Sequence, residues 1–162
     1  IETLKNENFY VKLVTNGELL NEKIVNLCDE ITLSIKALNN EIHKEYTGTS
    51  NEKTLKNFEK FCDLNKIEIE SIYIPNLIEC EEILEIAKYI AKFNKNLRYR
   101  IERYIYSGYG REATIEEVEK CAEKVKKILP NTYTFAQKFG RNPRAKKAKC
   151  QYPKIYQEKL QI

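Results

Sequence analysis

The chain has 162 residues, with 28 Lys and Arg against 24 Asp and Glu, 42% hydrophobic residues, and only 5 Gly and 4 Pro. This composition excludes disordered, collagen-like and low-complexity chains, and the length suits one domain around one core. No apolar run approaches the roughly 20 residues a membrane-spanning helix needs, and Ile1 to Phe9 lacks a signal-peptide core.

Phe9 to Val14 (Phe-Tyr-Val-Lys-Leu-Val) is apolar and β-favouring, and Asn16-Gly17 ends it as a turn, which predicts a first strand. Leu20, Ile24 and Leu27 recur at helical spacing within Leu19 to Cys28, and a second strand is predicted over Glu30 to Lys36. Asn51 to Leu64 carries Leu55, Phe58, Phe61 and Cys62 on one helical face, and Ile67 to Pro75 reads as a third strand. In Glu79 to Phe93, Ile83, Ile86, Ala87, Ile90 and Ala91 form a helical stripe. A fourth strand, Leu97 to Tyr106, puts Tyr99, Ile101, Arg103 and Ile105 on one face and Arg100, Glu102, Tyr104 and Tyr106 on the other. Thr114 caps a helix running to about Leu129, with Glu117 at the capping-box position, and Pro130 halts it. Thr132 to Phe135 reads as one more short strand.

Strands alternating with helices specify an α/β fold with a parallel sheet, because parallel neighbours need crossovers. A complete eight-unit barrel takes roughly 250 residues, so on the barrel reading this chain holds part of one. Ligands in such folds bind at the carboxyl ends of the strands, here Thr15-Asn16-Gly17, Lys36, Tyr73 to Asn76 and Tyr104 to Gly110. Lys36, the N–H groups around Asn16-Gly17, and the hydroxyls of Thr15 and Ser34 suit a carboxylate or phosphate. Residues 137–162 form a basic tail, in which eight Lys and Arg from Lys138 onward face Glu158 alone. It has no recognisable nucleic-acid motif.

The five cysteines (Cys28, Cys62, Cys80, Cys121 and Cys150) are odd in number and widely spaced, fitting neither a disulfide framework nor a zinc site. A reducing, cytoplasmic setting is the expectation. Asp29 and Asp63 are the only Asp residues, which leaves few candidates for Asp-based metal chemistry. The lone histidine, His43, lies in a helix-turn segment and is read as structural, with Thr47-Gly48 closing its helix.

The order of segments carries more than any one of them. A strand ending in Thr15-Asn16-Gly17 is followed by one ending in Ser34-Ile35-Lys36. Then come His43-Lys44-Glu45-Tyr46-Thr47-Gly48 with Asn51, and a strand ending in Ile74-Pro75-Asn76. Over roughly Phe9 to Phe135 this resembles the middle and C-terminal part of the radical S-adenosylmethionine enzymes that activate pyruvate formate-lyase and anaerobic ribonucleotide reductase. The resemblance implies a partial (β/α) barrel over 1–136, truncated at its N-terminus. It implies S-adenosylmethionine and a [4Fe-4S] cluster as cofactors of the parent protein, a glycyl-radical enzyme as partner, and an electron donor. It places Lys36 against the cofactor carboxylate, Thr15 and Asn16 in the same pocket, and Tyr104 and Tyr106 near the adenosine.

The family's Cys-x-x-x-Cys-x-x-Cys cluster loop is absent from this sequence, so the chain alone is expected to be inactive. Val14 and Ser34 stand where the pyruvate formate-lyase branch has cation-binding carboxylates, and Glu70 where it has an arginine. Two other readings compete. One is a noncatalytic α/β module that uses the basic tail on a nucleic acid or acidic protein; the other is a different (β/α) enzyme with an anion site at Lys36.

Overall fold

The computed structural model describes residues 1–108 and 110–139. Its elements in chain order are α1 (Glu2–Asn6), β1 (Lys12–Thr15), α2 (Glu22–Leu27), β2 (Glu30–Ser34), α3 (Asn40–Thr47), α4 (Glu52–Phe61), β3 (Ile67–Tyr73), α5 (Cys80–Phe93), β4 (Arg98–Arg103), α6 (Ile115–Val125), β5 (Thr132–Thr134) and α7 (Phe135–Phe139). The expected basic tail lies, from residue 140 on, outside the described residues.

All five strands are parallel and lie in chain order, β1-β2-β3-β4-β5. Right-handed crossovers in an unreversed order deliver every connecting helix to the same side of the sheet, whereas a doubly wound sheet reverses and covers both sides. The arrangement is therefore part of a (β/α) barrel. Register confirms two unlike faces. Ile31 and Leu33, Ile67 and Ile69, and Tyr99 and Ile101 point one way and are at most 3% exposed, packed in the core with Ile83, Ile86 and Ile90 of α5 and Val118 and Ala122 of α6. The other face carries Thr32 and Ser34, Glu68 and Glu70, Arg98, Arg100 and Glu102, and Tyr133.

Local signals act as their chemistry requires. Thr114 and Glu117 form a reciprocal capping box on α6, and Gly48 closes α3 in the left-handed conformation. His43 is buried, with Nδ1 2.9 Å from the Thr49 carbonyl, which supports its reading as structural. Gly17 is obligatory for two reasons: its φ is +78°, and a Cβ there would lie 2.2 Å from Leu33 Cδ1.

Several expectations need correction. The fourth strand ends at Arg103, three residues short of Tyr106, because the chain turns away after Tyr104 and pairs back through the Ala113 N–H to the Tyr104 carbonyl. The first strand begins at Lys12, not Phe9, and β2 stops at Ser34, so Lys36 sits in the loop beyond it. Cys80 and Cys121 form a disulfide, contrary to the reading of the cysteines as unpaired. Their separation of 41 residues hides the fact that successive crossover helices, α5 and α6, lie side by side. With that pair formed, cysteine spacing no longer bears on the compartment.

Candidate functional site

The polar face of the sheet is a ladder of charges that alternation places in rungs. In the rung it shares with Thr32, the fully buried Glu68 accepts from Thr32 Oγ1 (3.4 Å) and, across rungs, from Tyr133 OH, with Lys12 Nζ 3.8 Å away. In the next, Glu70 takes Ser34 Oγ at 3.3 Å and an ion pair with Arg100 Nη2, while Arg100 Nε lies 2.9 Å from Glu102. Charges at this depth are tolerable only when paired and hydrogen-bonded, and here Glu68 and Glu70 each have a cation or hydroxyl on a neighbouring strand, while Glu102 pairs with Arg100 of its own strand. Burial, and then the Glu68 carboxylate, push the Tyr133 hydroxyl above the ordinary tyrosine pKa, so it remains the donor of that bond.

Lys36 stands two residues beyond Ser34, hence on the same face, at the carboxyl end of the sheet. It is half-buried and makes no hydrogen bond among the described residues. Burial pushes its pKa below the ordinary lysine value, and the Glu70 carboxylate opposes that shift. A partly desolvated ammonium of this kind suits an incoming carboxylate, which would restore the lost solvation and add a charge-assisted hydrogen bond.

Thr15 ends β1, the neighbour of β2, so Thr15, Asn16 and Lys36 belong to adjacent strand ends. Their polar atoms are not equally available. Thr15 Oγ1 accepts from the Gly17 N–H at 3.0 Å, and Asn16 Oδ1 accepts from the Glu18 N–H at 3.1 Å. The N–H groups of Gly17 and Glu18, in the turn expected to receive an anion, are thus bonded within that turn, and the Asn16 carbonyl accepts from Thr54 Oγ1 at 2.8 Å. Tyr104 lies beyond β4, only 2% exposed, with its hydroxyl accepting from Ser107 N and Ser107 Oγ. Tyr106 is 60% exposed on the following loop, so the two tyrosines do not share a surface as strand alternation predicted.

Sequence reasoning missed Glu68, Glu70, Arg100 and Tyr133 as a connected set. A signal was present: Ile67-Glu-Ile-Glu and Arg98-Tyr-Arg-Ile-Glu alternate charge with apolar residues inside a sheet whose parallel strands demand burial. Among the described residues no group of three His, Cys, Asp or Glu side chains could hold a metal ion. Cys28 and Cys62 are separate and buried, and Cys80 is paired with Cys121, so these thiols do not fit an iron-sulfur cluster. No helix among the described residues is long and apolar enough to cross a membrane.

No family model matches the chain. A curated protein of Methanocaldococcus jannaschii, described as a glycyl-radical enzyme activating enzyme, is 34% identical to it over 153 residues. The chain is thus similar, over most of its own length, to a glycyl-radical enzyme activating enzyme. The match takes in 89% of this chain but 59% of that activating enzyme, so the chain spans about three-fifths of the length of its relative. Solved structures agree on the fold. A domain of a pyruvate-formate lyase-activating enzyme from Bacteroides vulgatus superposes with a TM-score of 0.67 at 13% identity, covering 80% of this chain and 83% of that one. SuiB of Streptococcus suis gives a TM-score of 0.68 at 17% identity, over 95% of this chain and 39% of SuiB.

Proposed function

We propose that this chain supplies the carboxyl-end wall of an S-adenosylmethionine pocket in a radical activating enzyme that works in the cytoplasm with a glycyl-radical enzyme as partner. The observation that carries the reading is the half-buried ammonium of Lys36 just beyond a strand end, without a hydrogen-bond partner among the described residues, beside the charged ladder of a partial barrel. In this reading Lys36 meets the cofactor carboxylate, and the Thr15-Asn16 turn forms the adjoining rim. Tyr104 shapes the floor through its buried ring, and Tyr106, exposed on its loop, is the ring free to stack on adenine. Residues 1–136 make up the barrel part and 137–162 the basic segment.

When bound, S-adenosylmethionine supplies the radical source of such activating enzymes, after an electron donor has reduced a [4Fe-4S] cluster. The described residues do not fit that cluster, and in this reading the chain alone binds the cofactor without cleaving it. Titration calorimetry with S-adenosylmethionine tests the reading. A charge-assisted hydrogen bond contributes about 1.5–3 kcal/mol, so Lys36→Ala should weaken binding roughly 10- to 100-fold. Equal affinities for the two proteins, or no binding by either, would remove Lys36 from the pocket.

A further inference from the structure

We infer that Asn51 and Glu82 are positioning residues that clamp the backbone around Lys36 and so hold its ammonium on the polar face of the sheet. This inference rests on the reading of Lys36 as a cofactor ligand. Neither residue reaches the polar face itself. Asn51 is the residue before α4, is 6% exposed, and donates through Nδ2 to two successive carbonyls, Ala37 O at 3.1 Å and Leu38 O at 2.7 Å. Glu82, in the first turn of α5, accepts through Oε1 from two successive N–H groups, Leu38 at 2.6 Å and Asn39 at 2.9 Å. On the other side of Lys36, the Ile35 carbonyl accepts from Ser71 Oγ at 2.7 Å.

The pattern exceeds what the five-residue connection between β2 and α3 needs. Asn39 already caps α3 by accepting from Glu41 N and Ile42 N. The added bonds fix the backbone on both sides of one residue, and they come from elements 13 to 44 residues away in sequence. A lysine has a flexible four-carbon stem and, on a free loop, extends its ammonium into water. Lys36 stays half-buried with Glu70 as its nearby counter-charge, an arrangement that costs solvation and persists only if the backbone is held. Both Asn51 amide protons are engaged, so Ala removes the whole donor set. Gln at position 82 keeps a carbonyl oxygen where the Glu acceptor stands.

The test is the titration of the Lys36 amine followed by NMR in the 162-residue chain with labelled lysines, read beside S-adenosylmethionine calorimetry. In Asn51→Ala the Lys36 pKa should rise toward the ordinary lysine value of about 10.4. S-adenosylmethionine affinity should fall about fivefold or more. In a Lys36→Ala background, Asn51→Ala should have no further effect on affinity. Glu82→Ala should act in the same direction and Glu82→Gln should titrate as wild type; these two decide the matter if Asn51→Ala does not fold. An unmoved Lys36 titration in a folded Asn51→Ala or Glu82→Ala chain overturns the clamp. Should Lys36→Ala bind the cofactor as well as wild type, the cofactor reading falls, and the Lys36 titration still judges the clamp.

Discussion

Arg100 of β4 and Glu70 of β3 pair across one rung of the sheet, with both side chains only 14% exposed. Glu70 also lies near Lys36, so one carboxylate serves two cations at the carboxyl end of the barrel wall. Removing one member of a buried pair strands the other charge, at a cost of roughly 3–5 kcal/mol. Arg100 retains Glu102 at 2.9 Å, so Glu70→Ala should cost less, about 2–3 kcal/mol. Replacing both residues with Met should recover most of that loss. Urea unfolding of the two single variants and the double variant measures the coupling. A single-variant loss below about 1 kcal/mol would mean that the pair behaves as a surface contact.

Gly17→Ala should destabilise the chain by roughly 2–3 kcal/mol through backbone strain together with overpacking. The strain comes from a φ of +78°, and the overpacking from the Leu33 side chain, which is 1% exposed and would have to shift. Thermal unfolding of Gly17→Ala alone and with Leu33→Ala separates the two causes. Smaller side chains at 33 relieve the clash but leave the strain, so recovery should be partial. Full recovery would show that the left-handed backbone costs nothing here.

Much of the sheet was legible because burial and periodicity coincide in it. Ile31, Leu33, Ile67 and Ile69 alternate toward the helices, and each of these strands was found within a few residues. Strand ends were less legible. Tyr104 and Tyr106 continue the alternation of β4 in sequence, but the return pairing of Ala113 with Tyr104 bends the chain first. The clamp on Lys36 and the Cys80–Cys121 bridge depend on contacts between elements 13 to 44 residues apart, for which a sequence has no local periodicity to offer. Glu70 was noted only as a departure from a family pattern; its meaning appears once Arg100 is seen beside it.

Lys36 gives the chain a distinct alkaline response. Its folded pKa is depressed by burial, so between that value and the unfolded value of about 10.4 the unfolded chain binds more protons. Stability must therefore gain from this residue as the pH rises through that window, and the penalty is fully present at neutral pH. Lys36→Met should be more stable than wild type at pH 7, and the difference should shrink as the pH approaches about 10.4. Urea midpoints at a series of pH values test this, and a difference that widens with pH would contradict the burial of the ammonium.

The disulfide makes a prediction that needs no function. Alkylation of the unreduced, denatured chain should modify Cys28 and Cys62 and spare Cys80 and Cys121, which should react only after reduction, as read by peptide mass. Closing a loop of 41 residues stabilises by roughly 2–4 kcal/mol, so Cys121→Ser should lower the urea midpoint by a matching amount under oxidising conditions. Alkylation of Cys80 and Cys121 without reduction would remove the bridge.

Acid should loosen the start of α6 first. Arg111 and the Thr114 N–H hold Glu117 at a pKa of about 2, against an unfolded value of about 4.3. A depressed carboxyl pKa contributes stability that is complete above the unfolded value and is lost as the pH falls toward the folded one. Glu117→Gln keeps an acceptor for the Thr114 N–H but loses the charge facing Arg111, whose Nη1 lies 3.0 Å from Glu117 Oε2. Wild type should therefore exceed Glu117→Gln in stability at pH 6, with the gap closing between about pH 4.3 and pH 2. Thr114→Ala removes the other half of the box and should cost about 1 kcal/mol with little dependence on pH in that range. Chemical denaturation from pH 6 down to pH 2 distinguishes the two variants. A pH-independent gap for Glu117→Gln would show that the cap, and not the ion pair with Arg111, stabilises this helix end.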